Sequence, residues 1–427
     1  MSINNNESQE VTLEQVNAIL QQLGQKSKAA FKTKDYKTAQ KYILRVLEIA
    51  PKQKIAWMDL ATVTLRLSEY EQAYRYFQTC MQYMGNEIDT NVYDGVTEVC
   101  YWLEKYDEQL KYGRLALQSK KDLVQHEPAI EIPKHSPEAF NPKAPLENII
   151  SYSLFGDSPR YCEVAILNME LAAEIYPEWT CRFYVDDTVP VSILQRLAQK
   201  GAQIIQVTEE QKKISGLYWR FLIMDDLTVK RFLIRDADSF LSYRERAAVD
   251  AWLSSEAWFH SMRDSYTHTE LILAGMWGGC TGIFKNILGH IEAFIETGRF
   301  LNQRVMDQHY LRFCVWPTIQ KSILQHDSQG YDEQAKPFPI QKNIPLNEQH
   351  ETFHVGANEA SSLVKITIQH KPARIVTWIL KNELNEEVCR YDITTNYEKS
   401  FSIYLPVQYA ERIKRQEWYI ETQIKNV

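Results

Sequence analysis

Residues 231–240 read RFLIRDADSF, with Asp236 and Asp238 one residue apart at the end of an apolar run. Carboxylates leaving a core are costly unless a cation meets them, and that cation is either an arginine or a metal. Residues i and i+2 share a face only while a strand stays regular, but the turn after it can bring either carboxylate round. Two such oxygens suit Mg2+ or Mn2+, which keep open positions for substrate phosphates. Asp-x-Asp is also a common solvated turn; the strand before it and Arg235 beside it single this one out.

Other candidates lie at comparable places. Asp186 and Asp187 end the run CRFYVDD, Arg220 lies between Trp219 and Phe221 in LYWRFLIMDDLT, and Asp307 and Gln308 open the helical pattern of RVMDQHYLRF. Arg263, Asp264 and His268 stand close together in SMRDSYTHTE as an acceptor or catalytic cluster, and His326 precedes Asp-Ser in QHDS. Each has a plainer alternative: a strand end in solvent, the surface of an amphipathic helix, an exposed helix face, an ion pair, a satisfied loop histidine. The chain has no Gly-x-Ser-x-Gly elbow, no Gly-x-Gly-x-x-Gly and no Walker lysine motif, which removes support for serine hydrolase, dehydrogenase and P-loop chemistry.

The elements that must hold these residues follow from hydrophobic period. NIISYSLFG, CRFYVDD, AQIIQV and VKRFLIRDADS read as strands, while YCEVAILNMELAAEIYP, VSILQRLAQKG and LYWRFLIMDDLT read as helices. Strands alternating with helices imply parallel βαβ units, which bind ligands at the carboxyl ends of their strands. The aspartate pair falls at such an end.

Upstream, the apolar spacing is helical and repeats. Tyr36 and Tyr70 are 34 residues apart, as are Ala39 and Ala73, and Ile43 and Phe77; Pro51 closes the first unit, and Trp57, Leu60 and Ala61 open the next. A looser third copy carries Tyr93, Tyr106 and Ala116. This period resembles tetratricopeptide repeats. Residues 128–145 hold five of the fifteen prolines and read as a linker. Beyond about residue 353, LVKITIQ, RIVTWILK, EVCRYDI, FSIYLP and EWYIETQI predict a small β-rich region.

Bulk properties narrow the setting. At 427 residues the chain is long enough for two or three units, and 48 Lys plus Arg against 55 Asp plus Glu gives a net charge of −7, which argues against a nucleic-acid binder. Seven scattered cysteines with no Cys-x-x-Cys pair fit reduced thiols and a cytoplasmic setting. No segment reaches the ~18 apolar residues of a membrane span, so any membrane role is expected to be peripheral, at the inner face.

Taken in order, SLFGDSPRY, RFYVDD, YWRFLIMDD, RDADS, LAGMWGG, MDQHYL and HDS resemble the metal-dependent nucleotide-sugar glycosyltransferases of the GT-A fold, over about residues 148–330. The chain as a whole is similar to bacterial proteins in which such a domain follows tetratricopeptide repeats. The resemblance implies an α+β multidomain chain: helical repeats over 12–125, a proline-rich linker over 126–147, a GT-A-like Rossmann-type domain over 148–345 and a β-rich C-terminal domain over 346–427. It implies transfer of a sugar from a nucleotide-diphosphate donor to a hydroxyl acceptor in surface polysaccharide or lipopolysaccharide assembly. A polypeptide acceptor gripped by the repeats, or a non-catalytic scaffold with a relic domain, are the alternatives.

The same resemblance implies roles for residues. Phe155, Gly156 and Asp157 would line the base and ribose pocket, Asp186 would accept from the nucleobase, and Arg220 would meet the donor. Asp236 and Asp238 would hold Mn2+ or Mg2+ on the diphosphate with His326 as third ligand, Asp307 and Gln308 would face the sugar or acceptor, and residues 275–279 would form the acceptor-side wall. Retention or inversion stays open, with Asp307 or Asp264 as the base an inverting enzyme needs.

Overall fold

In the computed structural model the chain forms two compact units, residues 1–123 with 266–269 and 329–332, and residues 124–265, 270–328 and 333–427. The structure describes residues 12–298, 305–341, 345, 348–350, 352–357, 360–371 and 373–425; the expected boundary at residue 346 lies outside them.

The first unit is built, among the described residues, from three helix pairs: α1 (Leu13–Lys32) and α2 (Tyr36–Ile49), α3 (Lys54–Arg66) and α4 (Tyr70–Met84), α5 (Thr90–Trp102) and α6 (Tyr106–Leu123). One turn closes all three. Lys34, Ser68 and Glu104 sit at φ of 60°, 62° and 56°, and the next amide returns to the preceding helix, from Asp35 to the Ala30 carbonyl (2.9 Å), Glu69 to Thr64 (3.2 Å) and Lys105 to Cys100 (2.9 Å). A left-handed residue ends a helix this way because it turns the chain while satisfying the last carbonyls. Ala39, Ala61 and Ala73 are fully buried where helices touch, and Gly95 leaves room for the Phe77 ring, which a Cβ would overlap. The two later segments complete this unit. Tyr266 stacks on Tyr101 at 3.7 Å between ring centroids, Tyr331 fills the niche left by Gly113, and the buried Lys120 donates to Asp94 (2.5 Å) and to the Thr269 carbonyl (3.0 Å).

The second unit is built on a seven-stranded, mostly parallel sheet. Its elements run β1 (Asn148–Leu154), α7 (Pro159–Ile175), β2 (Thr180–Val185), α8 (Val191–Gln199), β3 (Gln203–Gln206), β4 (Arg231–Ile234), α9 (Tyr243–Leu253), β5 (Phe259–Arg263), β6 (Trp277–Cys280), α10 (Ile287–Glu296), α11 (Met306–Tyr310), α12 (Trp316–Ile319) and β7 (Ile323–Asp327). The strand order is β3-β2-β1-β4-β6-β5-β7, with β6 antiparallel to both neighbours. Residues 277–279, expected in an acceptor-side wall, lie instead in β6, inside the core. Gly278 and Gly279 lack side chains because the Phe232 backbone and the Phe259 ring occupy that space. The expected helix LYWRFLIMDDLT is a 3-10 stretch, Gly216–Asp225, tighter and shorter than its apolar spacing predicts.

The proline-rich segment is extended and tied down: the Ile130 amide donates to Thr318 Oγ1 (3.0 Å), and Lys321 Nζ donates to the Ile130 carbonyl (3.1 Å). The C-terminal strands β8 (Ser361–Thr367), β9 (Ile375–Lys381), β10 (Glu387–Thr394), β11 (Ser400–Pro406) and β12 (Tyr419–Ile424), with α13 (Val407–Lys414) between the last two, form a β10-β9-β12 sheet and a β8–β11 pair. Their Trp378, Leu380, Ile403 and Leu405 share one hydrophobic core with Cys162, Ala165 and Ile166 of α7.

Candidate functional site

The aspartates of the opening motif are met by arginines. Arg220 is buried, 5% exposed; its Nη1 donates to Asp236 Oδ1, and its Nη2 donates to Asp307 Oδ2 at 2.8 Å. Two serines of β1 hold this arginine's backbone. The Arg220 amide donates to Ser153 Oγ (2.9 Å), and Ser151 Oγ donates to the Arg220 carbonyl (2.8 Å). Serines inside a buried strand are thus explained by the residue they fix. Burial works against the charge of Arg220, and Asp236 and Asp307 more than offset it. Burial also pushes the Asp307 carboxyl up, against the pull of Arg220.

Asp236 and Asp238 sit in the turn after β4. Gly275 packs so closely on the Asp236 carboxylate that any side chain there would overlap it. The Asp236 side chain stays 41% exposed. Asp238 Oδ2 accepts from Arg160 Nη2 at 3.0 Å. Burial raises the Asp238 carboxyl, the neighbouring charge of Asp236 raises it further, and Arg160 opposes both. Behind them Arg235 is buried, donating from Nε to Glu245 (3.0 Å) and from Nη1 to the Trp277 carbonyl (3.1 Å), so it anchors the end of β4.

The loops after β1 and β2 meet through one hydroxyl. Thr188 Oγ1 donates to Asp186 Oδ1 (2.5 Å) and accepts from the Gly156 amide (2.6 Å). Gly156 takes φ 77°, where glycine is favoured. Phe155 is exposed and meets Trp219 edge-on at 5.7 Å, and Asp157 is exposed in the same turn. Asp187 points elsewhere, to Lys212 at 2.7 Å. Residues 155–157, Asp186 with Thr188, and the aspartate pair follow the ends of β1, β2 and β4, which run parallel, and the Arg220 guanidinium reaches Asp236 there.

Three expected residues are engaged elsewhere. His326 lies in β7, buried, its Nδ1 2.9 Å from His260 Nε2 on β5, which stacks on Trp252. Burial and Lys336 lower His326 to about 4. Asp264 takes both donors of Arg244 at 2.8 Å and the Val355 amide at 2.9 Å. Arg263 is buried and donates to the carbonyls of Glu270 and Leu271. Asp307 begins α11 as expected, but buried, with its second oxygen accepting from the Gln308 amide (3.0 Å); an exposed helix face is excluded.

Sequence reading passed over Arg160, Thr188 and residues 354–356. In the last, the Val355 amide is bound to Asp264, and the Gly356 carbonyl accepts from Ser239 Oγ at 3.4 Å, one residue from Asp238. Gly356 takes φ 77°, where glycine is favoured.

Among the described residues no three or more His, Cys, Asp and Glu stand together as a group able to hold a metal ion. The Asp236–Asp238 pair supplies two carboxylates. Each has one oxygen on a guanidinium, and a divalent cation held by the pair would take its remaining ligands from water and phosphate. Among the described residues no helix is long and apolar enough to cross a membrane.

No protein-family model matches the chain, and no curated protein matches it. Solved structures with some likeness include the Arabidopsis OM64 TPR domain (18% identity, 24% of this chain and 84% of that one, TM-score 0.23). The TPR2B domain of yeast Sti1 in complex with pHsp70 shares 14% identity over 25% of this chain and 85% of that one, TM-score 0.24. An O-GlcNAc transferase from Thermobaculum terrenum shares 13% identity over 47% of this chain and 44% of that one, TM-score 0.27.

Proposed function

We propose that the chain is a glycosyltransferase that moves a sugar from a nucleotide-diphosphate donor to a hydroxyl acceptor, with a GT-A-like domain downstream of tetratricopeptide-like repeats that bind a protein partner or the acceptor. The observation that carries this reading is the guanidinium of Arg220 held between the buried Asp307 and Asp236, whose carboxylate stays exposed at the end of a parallel strand. Parallel sheets bind ligands at that end. The strand order, with its single reversed strand β6, supports the GT-A assignment.

In this reading Asp236 and Asp238 hold Mn2+ or Mg2+, which when bound offsets charge on the leaving diphosphate. Arg220 fixes the orientation of Asp236 and, between two carboxylates, keeps its charge where the donor arrives. Thr188 joins the loops carrying Gly156 and Asp186 into one wall for the base and ribose. Asp307 has both oxygens engaged and Asp264 is held by Arg244, which favours a retaining reaction that needs no carboxylate base.

A panel of nucleotide sugars tested for donor hydrolysis, with and without Mn2+, decides the matter. The expected result is metal-dependent release of sugar from one donor class, abolished by Asp238→Asn. Hydrolysis of no donor by a folded protein would sink the enzyme reading, and leave the repeats as a scaffold.

A further inference from the structure

We infer that Arg160, gripped by Tyr404 of the C-terminal strands, sets how tightly the Asp236–Asp238 pair takes a divalent cation; this rests on the reading of that pair as a cation site. Arg160 is the second residue of α7 and donates from Nη2 to Asp238 Oδ2 at 3.0 Å. Its guanidinium carbon lies 5.6 Å from the ring centroid of Tyr161 and 5.6 Å from that of Tyr404 on β11. Two aromatic faces and a carboxylate therefore hold one cation in place.

One turn further along α7, other C-terminal elements are fastened to the same helix. Glu163 is fully buried and accepts both donors of Arg196 (2.7 and 2.8 Å), the Tyr391 hydroxyl (2.7 Å) and the Tyr409 hydroxyl (3.4 Å). Tyr391 lies in β10 and Tyr409 in α13, so a buried carboxylate fastens the C-terminal elements to the helix that carries Arg160. Those elements thus contribute a residue to the candidate site. Tyr404 itself is 44% exposed, so replacing it removes the face against Arg160 without opening the core.

The consequence is electrostatic. A divalent cation on Asp238 meets a guanidinium already bound to the same carboxylate, and the two repel. The pair then binds a free cation weakly, and the negative charge of a diphosphate offsets the repulsion, so that cation and diphosphate favour each other's binding. Arg160 is in this account a tuning residue: it acts on the cation through Asp238.

The test titrates Mn2+ alone, then Mn2+ with inorganic pyrophosphate, into the full-length protein, following the loss of the free-ion electron paramagnetic resonance signal. Removing a charge at this distance should tighten Mn2+ binding by Arg160→Met about tenfold, and loosening it by Tyr404→Leu about threefold. Tyr404→Phe keeps the ring and should match the wild type, and the gain from pyrophosphate should shrink in Arg160→Met. Equal or weaker Mn2+ binding by Arg160→Met, or identical binding by Tyr404→Leu and Tyr404→Phe, overturns the inference. If Asp236→Asn binds Mn2+ as the wild type does, the cation site itself is wrong and the inference falls with it, an outcome distinct from the other two.

Discussion

The helical repeats and the sheet-based unit place their arginines in opposite circumstances. In the repeats, Arg66 makes a two-pronged pair with Glu98 across α3 and α5 while remaining 41% exposed. In the sheet-based unit, Arg220 makes a two-pronged bridge between Asp236 and Asp307 while almost fully buried. The first pair decorates a contact that apolar packing already makes, and exposed pairs are worth little. The second has no such support, because each buried charge there is tolerable only while its partners remain. Repetition in one unit and a non-repeating buried charge cluster in the other follow from what each has to hold: a stack of helices, or a set of polar groups at one point.

The largest expected effect tests that contrast directly. Arg220→Met leaves Asp307 buried beside an apolar chain and should cost about 3–5 kcal/mol, whereas Arg66→Met should cost about 1 kcal/mol or less. Thermal melts of both variants compare them; equal losses would break the distinction.

Acid should find a second buried charge cost. Burial, with Lys336, pushes His326 down to about 4 from an ordinary value near 6.5, so the folded state disfavours the proton. Stability from this group is complete above pH ~6.5 and is lost as pH falls towards 4, roughly 3 kcal/mol in all. In the His326→Asn variant, melting followed from pH 7 to 4 should fall less steeply than in the wild type. Parallel pH profiles would remove the buried histidine pair from the account.

Smaller effects should appear in the repeats. Gly95→Ala forces a methyl into the Phe77 ring and should destabilise by about 1–3 kcal/mol, with nucleotide binding unchanged if the disturbance stays in the first unit; a calorimetric scan with and without nucleoside diphosphate separates the two. Smallest is a gain. Ser68→Gly relieves a left-handed serine and should stabilise by about 0.5–1 kcal/mol, read as a higher denaturant midpoint; a loss would mean that the Ser68 side chain has an uncounted role.

Legibility divides along the same line. The 34-residue spacing of Tyr36 and Tyr70 announces the repeats because each copy solves the same packing problem, and even the turn residues Lys34 and Ser68 keep that spacing. The strands around the candidate site are legible as apolar runs, and Asp236 and Asp238 as their acidic end. The partners of those aspartates are not. Arg220 and Asp307 are 87 residues apart, and the 3-10 stretch around Arg220 mimics the apolar spacing of a longer helix. His326 stands in a sequence that suits a ligand, yet its ring is bound to His260, 66 residues away. Arg160 lies in SLFGDSPRY, but its role is not legible there, since its meaning comes from Asp238 and Tyr404.

The central claim is that the Asp236–Asp238 pair joins a divalent cation to a nucleoside diphosphate. The most direct measurement is the melting temperature of the full-length protein with the common nucleoside diphosphates, with and without Mn2+, alongside Asp236→Asn and Asp238→Asn. The account predicts a rise that needs both Mn2+ and the correct diphosphate, worth ~2.7 kcal/mol at ~100 times the dissociation constant, and absent from both variants. Equal stabilisation without the metal, or full stabilisation of either variant, would contradict it.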